Sequence, residues 1–282
     1  MNQNLKVSVC MITYGHEKYI REAIEGVLMQ ECNFEVELIL ANDCSPDSTD
    51  KVIQDILNNH PRRSWIKYFK HEENLGMMPN FIFALKKGEG KYVALCEGDD
   101  YWTDPLKLQK QVDFLESNPD YAICFHEANV LQDEIIMEDI LTVKVPETTT
   151  IKDLANYNYM HTCSVVYRNN LFAEFPKYFK ESPVGDYFLH LLNARYGAIK
   201  RIDVIMGVYR VHGDSYWSSK TQEEQELFWV PFLKKIMPNF NKEVQDVLKA
   251  QIDSFKKDKQ KKIWNLSNIK KKIIQKIKKL IR

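Results

Sequence analysis

The 282 residues carry 39 Lys and Arg against 39 Asp and Glu, with 44% apolar and 28% charged residues, 10 Gly and 10 Pro. That composition is ordinary for a chain that buries a real core, and it excludes disordered, collagen-like and coiled-coil classes. The length admits one large domain with an appendage, not two full enzyme domains.

No run approaches 18 consecutive apolar residues, and MNQNLKVSVCMITYG enters a strand-like pattern directly, so neither a membrane span nor a secretory signal is expected. Cys10, Cys32, Cys44, Cys96, Cys124 and Cys163 show no C-x-x-C spacing, which fits a reducing cytosol and excludes a structural zinc. The zero net charge hides an asymmetry. Between Lys256 and Arg282 twelve Lys or Arg face Asp258 alone, so the rest of the chain is acidic and unsuited to nucleic acid.

In chain order, short β-branched and aromatic runs predict strands at Val7–Thr13, Val36–Ala41, Trp65–Phe69, Tyr92–Cys96 and Tyr121–Phe125. Helical patterns lie between them at Glu17–Met29, Ser48–Asn58, Met78–Lys87 and Pro105–Glu116. This alternation predicts an α/β fold with a mostly parallel central sheet flanked by helices. Residues 126–150 read as irregular. A second block follows, with helix at Ile151–Tyr157, strand at Ser164–Tyr167, helix at Asp186–Arg195 and strand at Ala198–Arg210. Beyond Trp217 the pattern is helical, with Val244, Val247, Leu248, Ile252 and Phe255 on one face. The expected domains are 1–217, a helical extension at 218–255 and a basic tail at 256–282.

Three predicted strands stop at polar clusters: Thr13-Tyr14-Gly15-His16-Glu17, Asn42-Asp43 and Glu97-Gly98-Asp99-Asp100. Carboxyl ends of parallel strands form a binding crevice, so these groups should converge. A dinucleotide fold would need G-x-G-x-x-G after the first strand, and only Gly15 is present. A diphosphate would then need a divalent cation on the carboxylates. Taken singly, Asp43 and Asp186 fit helix caps as well as ligand contacts. Of the histidines, His16, His60, His71, His126, His161 and His190 show no metal-ligand spacing. Trp102, Tyr216 and Trp217 are candidates for stacking on an acceptor sugar.

VSVCMITYGHEKYI, LILANDCSPDSTDKV, NLGMMPNF, CEGDDYW, GDYFLHLL and YRVHGDSYW, in this order, resemble the inverting family 2 glycosyltransferases of bacterial surface-glycan type. The resemblance implies the GT-A fold of nucleotide-diphospho-sugar transferases with a helical C-terminal extension. It implies transfer of a hexose from a UDP-linked donor to a hydroxyl of a cell-surface glycan or lipid-linked oligosaccharide, with Mg2+ or Mn2+. It places Thr13, Tyr14 and Glu17 at the nucleotide base and makes Asp43 the acceptor of its ring N–H. Asn74 and Gly76 form the turn before the helix that passes the diphosphate, and Asn80 adds a donor. Asp99 is the metal ligand, Glu97 faces the ribose or the metal's water shell, and Asp100 is a further polar contact. Asp186 is the catalytic base, with Gly185 where the family usually has an acid. Arg210 and His212 form an R-x-H element, Arg210 toward the diphosphate and His212 toward the metal or a phosphate oxygen.

In the tail, Leu266, Ile269, Ile273, Ile277 and Leu280 recur at three or four among lysines, an amphipathic pattern suited to an anionic membrane surface. The expected location is cytoplasmic, peripheral on the inner face of the cell membrane. Two rivals are a sugar nucleotidyltransferase, which would want a glycine-rich basic loop after the first strand, and a catalytically degenerate binding or adaptor protein, which would have lost Asp99 or Asp186.

Overall fold

The computed structural model describes residues 5–139, 142–213 and 220–255. The described chain divides into two compact units, Met1–Leu154 with Asn158–Lys220, and Ala155–Tyr157 with Thr221–Arg282.

The first unit opens as strand-helix alternation: β1 Leu5–Thr13, α1 Ile20–Leu28, β2 Glu35–Asn42, α2 Thr49–Asn59, β3 Ile66–Lys70, α3 Met77–Lys87 and β4 Tyr92–Leu95. Val7, Val9 and Met11 of β1 and Leu38 and Leu40 of β2 are buried with Ile24, Val27, Ile53 and Ile56 of the covering helices in one core. Near-continuous apolar strands are what a sheet covered on both faces requires. Strands β1, β2, β3 and β4 pair in parallel.

The chain continues through β5 Tyr101–Trp102, α4 Lys107–Ser117, β6 Tyr121–Gln132, β7 Ile135–Glu138, β8 Thr148–Thr149, α5 Ile151–Leu154, β9 Val166–Arg168, α6 Gly185–Asn193 and β10 Ala198–Val211. The sheet runs β3-β2-β1-β4-β9-β6-β10-β5. Beyond β4 it is mixed, because β9 enters antiparallel to both β4 and β6 while β10 runs parallel to β6. This is the GT-A-like architecture, with the parallel half as expected and a mixed half added.

The segment expected to be irregular holds regular structure. β6 runs on to Gln132 and turns through Asp133 and Glu134, at φ 49 and 64, into β7. Two successive positive φ values suit a tight hairpin, which normally announces itself by Gly or Asn. Neither is there, and β7 is exposed throughout, so no alternation marks it.

In the second unit, α7 Gln222–Ile236 starts with a capping box in which Thr221 and Glu224 satisfy each other's backbone N–H. A further helix covers 242–255, where Val244, Leu248 and Ile252 are buried at i, i+4 and i+8. The basic tail at 256–282 and the aromatics Tyr216 and Trp217 lie outside the described residues. Among the described residues no helix is long and apolar enough to cross a membrane.

Candidate active site

The chain leaves β1 toward β2 and β3 on one side and returns to β4 on the other, so the ends of β1 and β4 are neighbours at a topological switch point. The turn after β4 stays against β1, with the Gly98 N–H donating to the Ile12 carbonyl at 3.0 Å. Gly98 is needed there. An added Cβ would lie 2.8 Å from the Thr13 Cβ and 2.9 Å from His16 Nδ1.

Thr13 is buried at the end of β1, while Tyr14 is 48% exposed with its ring available for stacking. Glu17 ties two loops together: its backbone N–H donates to Asp47 Oδ2 at 3.0 Å, and its Oε2 accepts from the Ser48 N–H at 2.8 Å. Asp43, 2% exposed, accepts from the Leu75 N–H at 2.7 Å and the Gly76 N–H at 2.9 Å, one on each carboxylate oxygen. It therefore builds the turn that precedes α3, which Asn74 joins by a 3.4 Å bond from its Nδ2 to the Asp43 carbonyl. Gly76 sits at φ 90, a backbone region that favours glycine.

Two expectations need correction. Asn80 is 1% exposed and its amide is already occupied, Nδ2 donating to the Ala41 carbonyl at 3.0 Å and Oδ1 lying 2.9 Å from His71 Nε2. It braces α3 against β2 instead of offering a donor to the crevice. Trp102 is 2% exposed, its Nε1 donates to the Cys163 carbonyl at 2.7 Å, and the Lys107 ammonium covers its ring at 3.9 Å. It is a core residue and no acceptor platform.

Around the turn after β4, ligand atoms of Glu97, Asp99 and Asp100 lie within 4.8 Å of one another, as do those of His16, Asp99 and His212. Burial, then the neighbouring acids Asp99, Asp100 and Asp186, raises the Glu97 carboxyl well above its usual range. Burial, then Asp99, does the same to Asp100. At Asp99 burial also works against the charge, but the His212 hydrogen bond and the charges of His16 and His212 bring it below its ordinary value. A charged Asp99 that raises both of its acidic neighbours, with imidazoles at its edge, fits a divalent cation, which relieves the like-charge repulsion.

The strand β10 delivers the last pieces. Its pairing with β5 sets Arg210 and His212 beside the acidic turn. Arg210 Nε donates to the Asp99 carbonyl at 2.8 Å and Nη2 to Glu22 at 2.6 Å, while its guanidinium lies 4.7 Å from the Tyr19 ring centroid. The Asp99 Oδ2 is 3.0 Å from His212 Nε2 and 3.8 Å from His16 Nε2. The place of His16 was missed in the sequence, although its position just past a strand end was a usable signal.

Asp186 stands in the first turn of α6, near enough to add its charge to Glu97. Its Oδ2 accepts from Asn158 Nδ2 at 3.0 Å and from Thr162 Oγ1 at 3.3 Å. No local pattern announced those two partners. At Gly185, just before Asp186, an added Cβ would lie 2.7 Å from the Phe81 ring.

The sequence model described as "Glycosyl transferase family 2" matches residues 8–172. The chain belongs to that family. The family match takes in Thr13 through Asp100 but stops before Arg210 and His212, which contact Asp99, and Asp186, whose charge reaches Glu97. An uncharacterized protein of Mycobacterium tuberculosis is 35% identical over 228 residues, which cover 79% of this family 2 chain and 63% of the relative. The chain thus spans less than two thirds of that relative's length. Among solved structures, S. aureus TarS 1-349 in complex with UDP-GlcNAc superposes at TM-score 0.67 and 20% identity, covering 88% of this chain and 72% of that one. Mannosyltransferase PcManGT from Pyrobaculum calidifontis, in complex with GDP-Man and Mn2+, gives TM-score 0.66 at 16% identity, covering 89% and 70%. At these identities the likeness establishes the fold.

Proposed function

We propose that this family 2 chain is an inverting glycosyltransferase that moves a sugar from a UDP-linked donor to a hydroxyl of a cell-surface glycan or lipid-linked oligosaccharide. The observation that carries the reading is that Asp186, in the first turn of α6, lies near enough to the acidic turn Glu97–Asp100 for its charge to raise the Glu97 carboxyl. Inversion by direct displacement needs one base on the acceptor side and charge stabilisation on the leaving-group side. Asp186 accepts the proton of the acceptor hydroxyl as that oxygen attacks the anomeric carbon and the bond to the diphosphate oxygen breaks. Asn158 and Thr162 hold the carboxylate in place. Tyr14 stacks on the base, and Asp43 fixes the turn beside it while keeping a lone pair for the ring N–H. Arg210 braces the Asp99 turn and bonds the diphosphate.

Asp99 and His212 would hold Mg2+ or Mn2+, with Glu97 and Asp100 behind them. Such an ion supplies charge neutralisation for the departing diphosphate. The donors named for the fold neighbours, UDP-GlcNAc and GDP-Man, support a nucleotide-diphospho-sugar.

The catalytic domain is assigned to 1–217 and the helical extension to 218–255. The tail at 256–282 holds the chain on the cytoplasmic face of an anionic membrane. Flotation with anionic liposomes tests the tail: full-length protein floats, a chain ending at Phe255 does not, and equal behaviour rejects the membrane role. For the reaction, the protein is incubated with UDP-, GDP- and dTDP-sugars and glycan acceptors, and the anomeric configuration of the product is read by NMR. Transfer with inversion from a UDP-sugar is expected. A retained configuration, or release of no nucleotide from any donor, overturns the reading.

A further inference from the structure

We infer that His16 is a third protein ligand of the cation site, so that His16, Asp99 and His212 form a two-imidazole, one-carboxylate set that selects a transition ion over Mg2+. The inference rests on the reading of Asp99 and His212 as metal ligands and adds a residue and a metal class to it.

Both imidazoles aim Nε2 at the same oxygen, Asp99 Oδ2, at 3.0 Å for His212 and 3.8 Å for His16. The longer separation is outside hydrogen-bond range. It is close to the roughly 3.6–3.8 Å between two donors about 120° apart around one ion. With metal–ligand bonds of about 2.0–2.2 Å, neighbouring donor atoms lie roughly 3.0–3.4 Å apart and opposite ones roughly 4.3 Å apart. All three ligand atoms fall within 4.8 Å of one another.

The rings are held ready for this. Tyr19 lies 4.8 Å from the His212 ring and 6.4 Å from the His16 ring, and the two imidazoles meet edge to face at 89°. The His16 backbone is pinned by its carbonyl, which accepts from the Tyr19 and Ile20 N–H groups at 2.9 Å each. Gly98 is the complementary feature: any side chain there would strike His16 Nδ1 at 2.9 Å, so the glycine opens the space in which the ring lies against the acidic turn. The side chains of His16, Asp99 and His212 are 18%, 15% and 11% exposed, shielded yet within reach of an ion.

Ligand softness then assigns the metal class. Mg2+ wants oxygen donors and, among the described residues, would find a cluster of them on the Glu97–Asp99–Asp100 side. Two imidazoles suit Co2+, Ni2+ or Zn2+ best, and a mixed nitrogen and oxygen set is one that Mn2+ takes more readily than the strongly hydrated Mg2+ does. Asp99 is common to both sets, so one ion chooses between them by its own chemistry.

The test measures metal binding by the full-length protein without a sugar donor. Isothermal titration with Mn2+, Co2+ and Mg2+ is run on wild type, His16→Ala, His212→Ala and Asp99→Ala, each checked for folding by thermal melting. Wild type is expected to bind Mn2+ and Co2+ at least about 10-fold more tightly than Mg2+. His16→Ala should weaken Mn2+ and Co2+ by about 10-fold or more while changing Mg2+ less than about twofold, a size drawn from losses at metal-site residues. Pulsed electron resonance on the Mn2+-loaded wild type counts coordinated imidazole nitrogens without any substitution, and two are expected. One imidazole, or a His16→Ala protein that binds Mn2+ as wild type does while Asp99→Ala does not, overturns the role of His16 and leaves the metal reading standing. A wild type that takes up no Mn2+, with or without UDP, overturns both.

Discussion

The Arg210 backbone N–H donates to Asp100 Oδ1 at 2.8 Å, across 110 residues of sequence. That bond fastens the end of β10 to the turn after β4, and so sets His212 beside Asp99. Asp100→Ala leaves the N–H without its acceptor, at a cost of about 1–3 kcal/mol. The urea midpoint should fall and the KM for the donor should rise. Asp100→Asn keeps an oxygen at that place and should restore most of the midpoint; an Asn variant as unstable as the Ala variant would show that the bond is not what holds the strand.

Asp186→Asn keeps the shape and removes the base. Turnover is expected to drop about 10²–10⁴-fold with little change in donor KM. Thr162→Val removes one of the donors to Asp186 and should lower kcat by a smaller factor, again with donor KM unmoved. Steady-state kinetics with saturating acceptor separates the two parameters, and unchanged turnover in Asp186→Asn removes the base assignment.

Gly185 opens α6, where Gly→Ala would ordinarily stabilise by about 0.5–1 kcal/mol. Here the added Cβ would come within 2.7 Å of Phe81 Cδ1 and 2.9 Å of its Cε1. Overpacking of this kind costs about 1–3 kcal/mol and should decide the sign. Gly185→Ala is therefore expected to melt earlier, and Phe81→Leu in the same chain to recover part of the loss. A double-mutant cycle by urea denaturation checks it, with additive effects counting against the contact.

His190 is fully buried, with no hydrogen-bond partner for either ring nitrogen among the described residues. Burial pushes its pKa down from 6.5 to about 4, with the Asp186 charge opposing. The unfolded chain takes up its proton first, so stability is whole above about 6.5 and falls as the pH drops from there to about 4. Between pH 7 and 5 this group alone accounts for about 2 kcal/mol. His190→Leu should flatten that part of the pH profile, measured by urea unfolding at both values; an unaltered slope would contradict it.

The candidate site was readable in the sequence wherever its residues follow directly on a strand. Thr13, Asp43 and Glu97 to Asp100 sit just past apolar runs whose pattern is local, and burial on both faces of the parallel half left few other arrangements. His16 was available by the same rule but was set aside for lack of sequence spacing, a criterion that cannot see a ligand paired 83 or more residues away with Asp99. Asn80 and Trp102 were misjudged because polarity and aromaticity do not say which way a side chain faces.

Periodicity along the chain determined the strand-helix alternation, the parallel half of the sheet and the polar clusters at its strand ends, because the alternation of apolar and polar residues is a record of burial. Only the folded arrangement decided that β9 enters antiparallel, that β5 and β10 pair, and that Asn158, Thr162, Arg210 and His212 meet Asp186 and Asp99. Those contacts depend on which strand edges close on one another over long loops. That choice belongs to the summed packing of the whole sheet and leaves no mark at either partner.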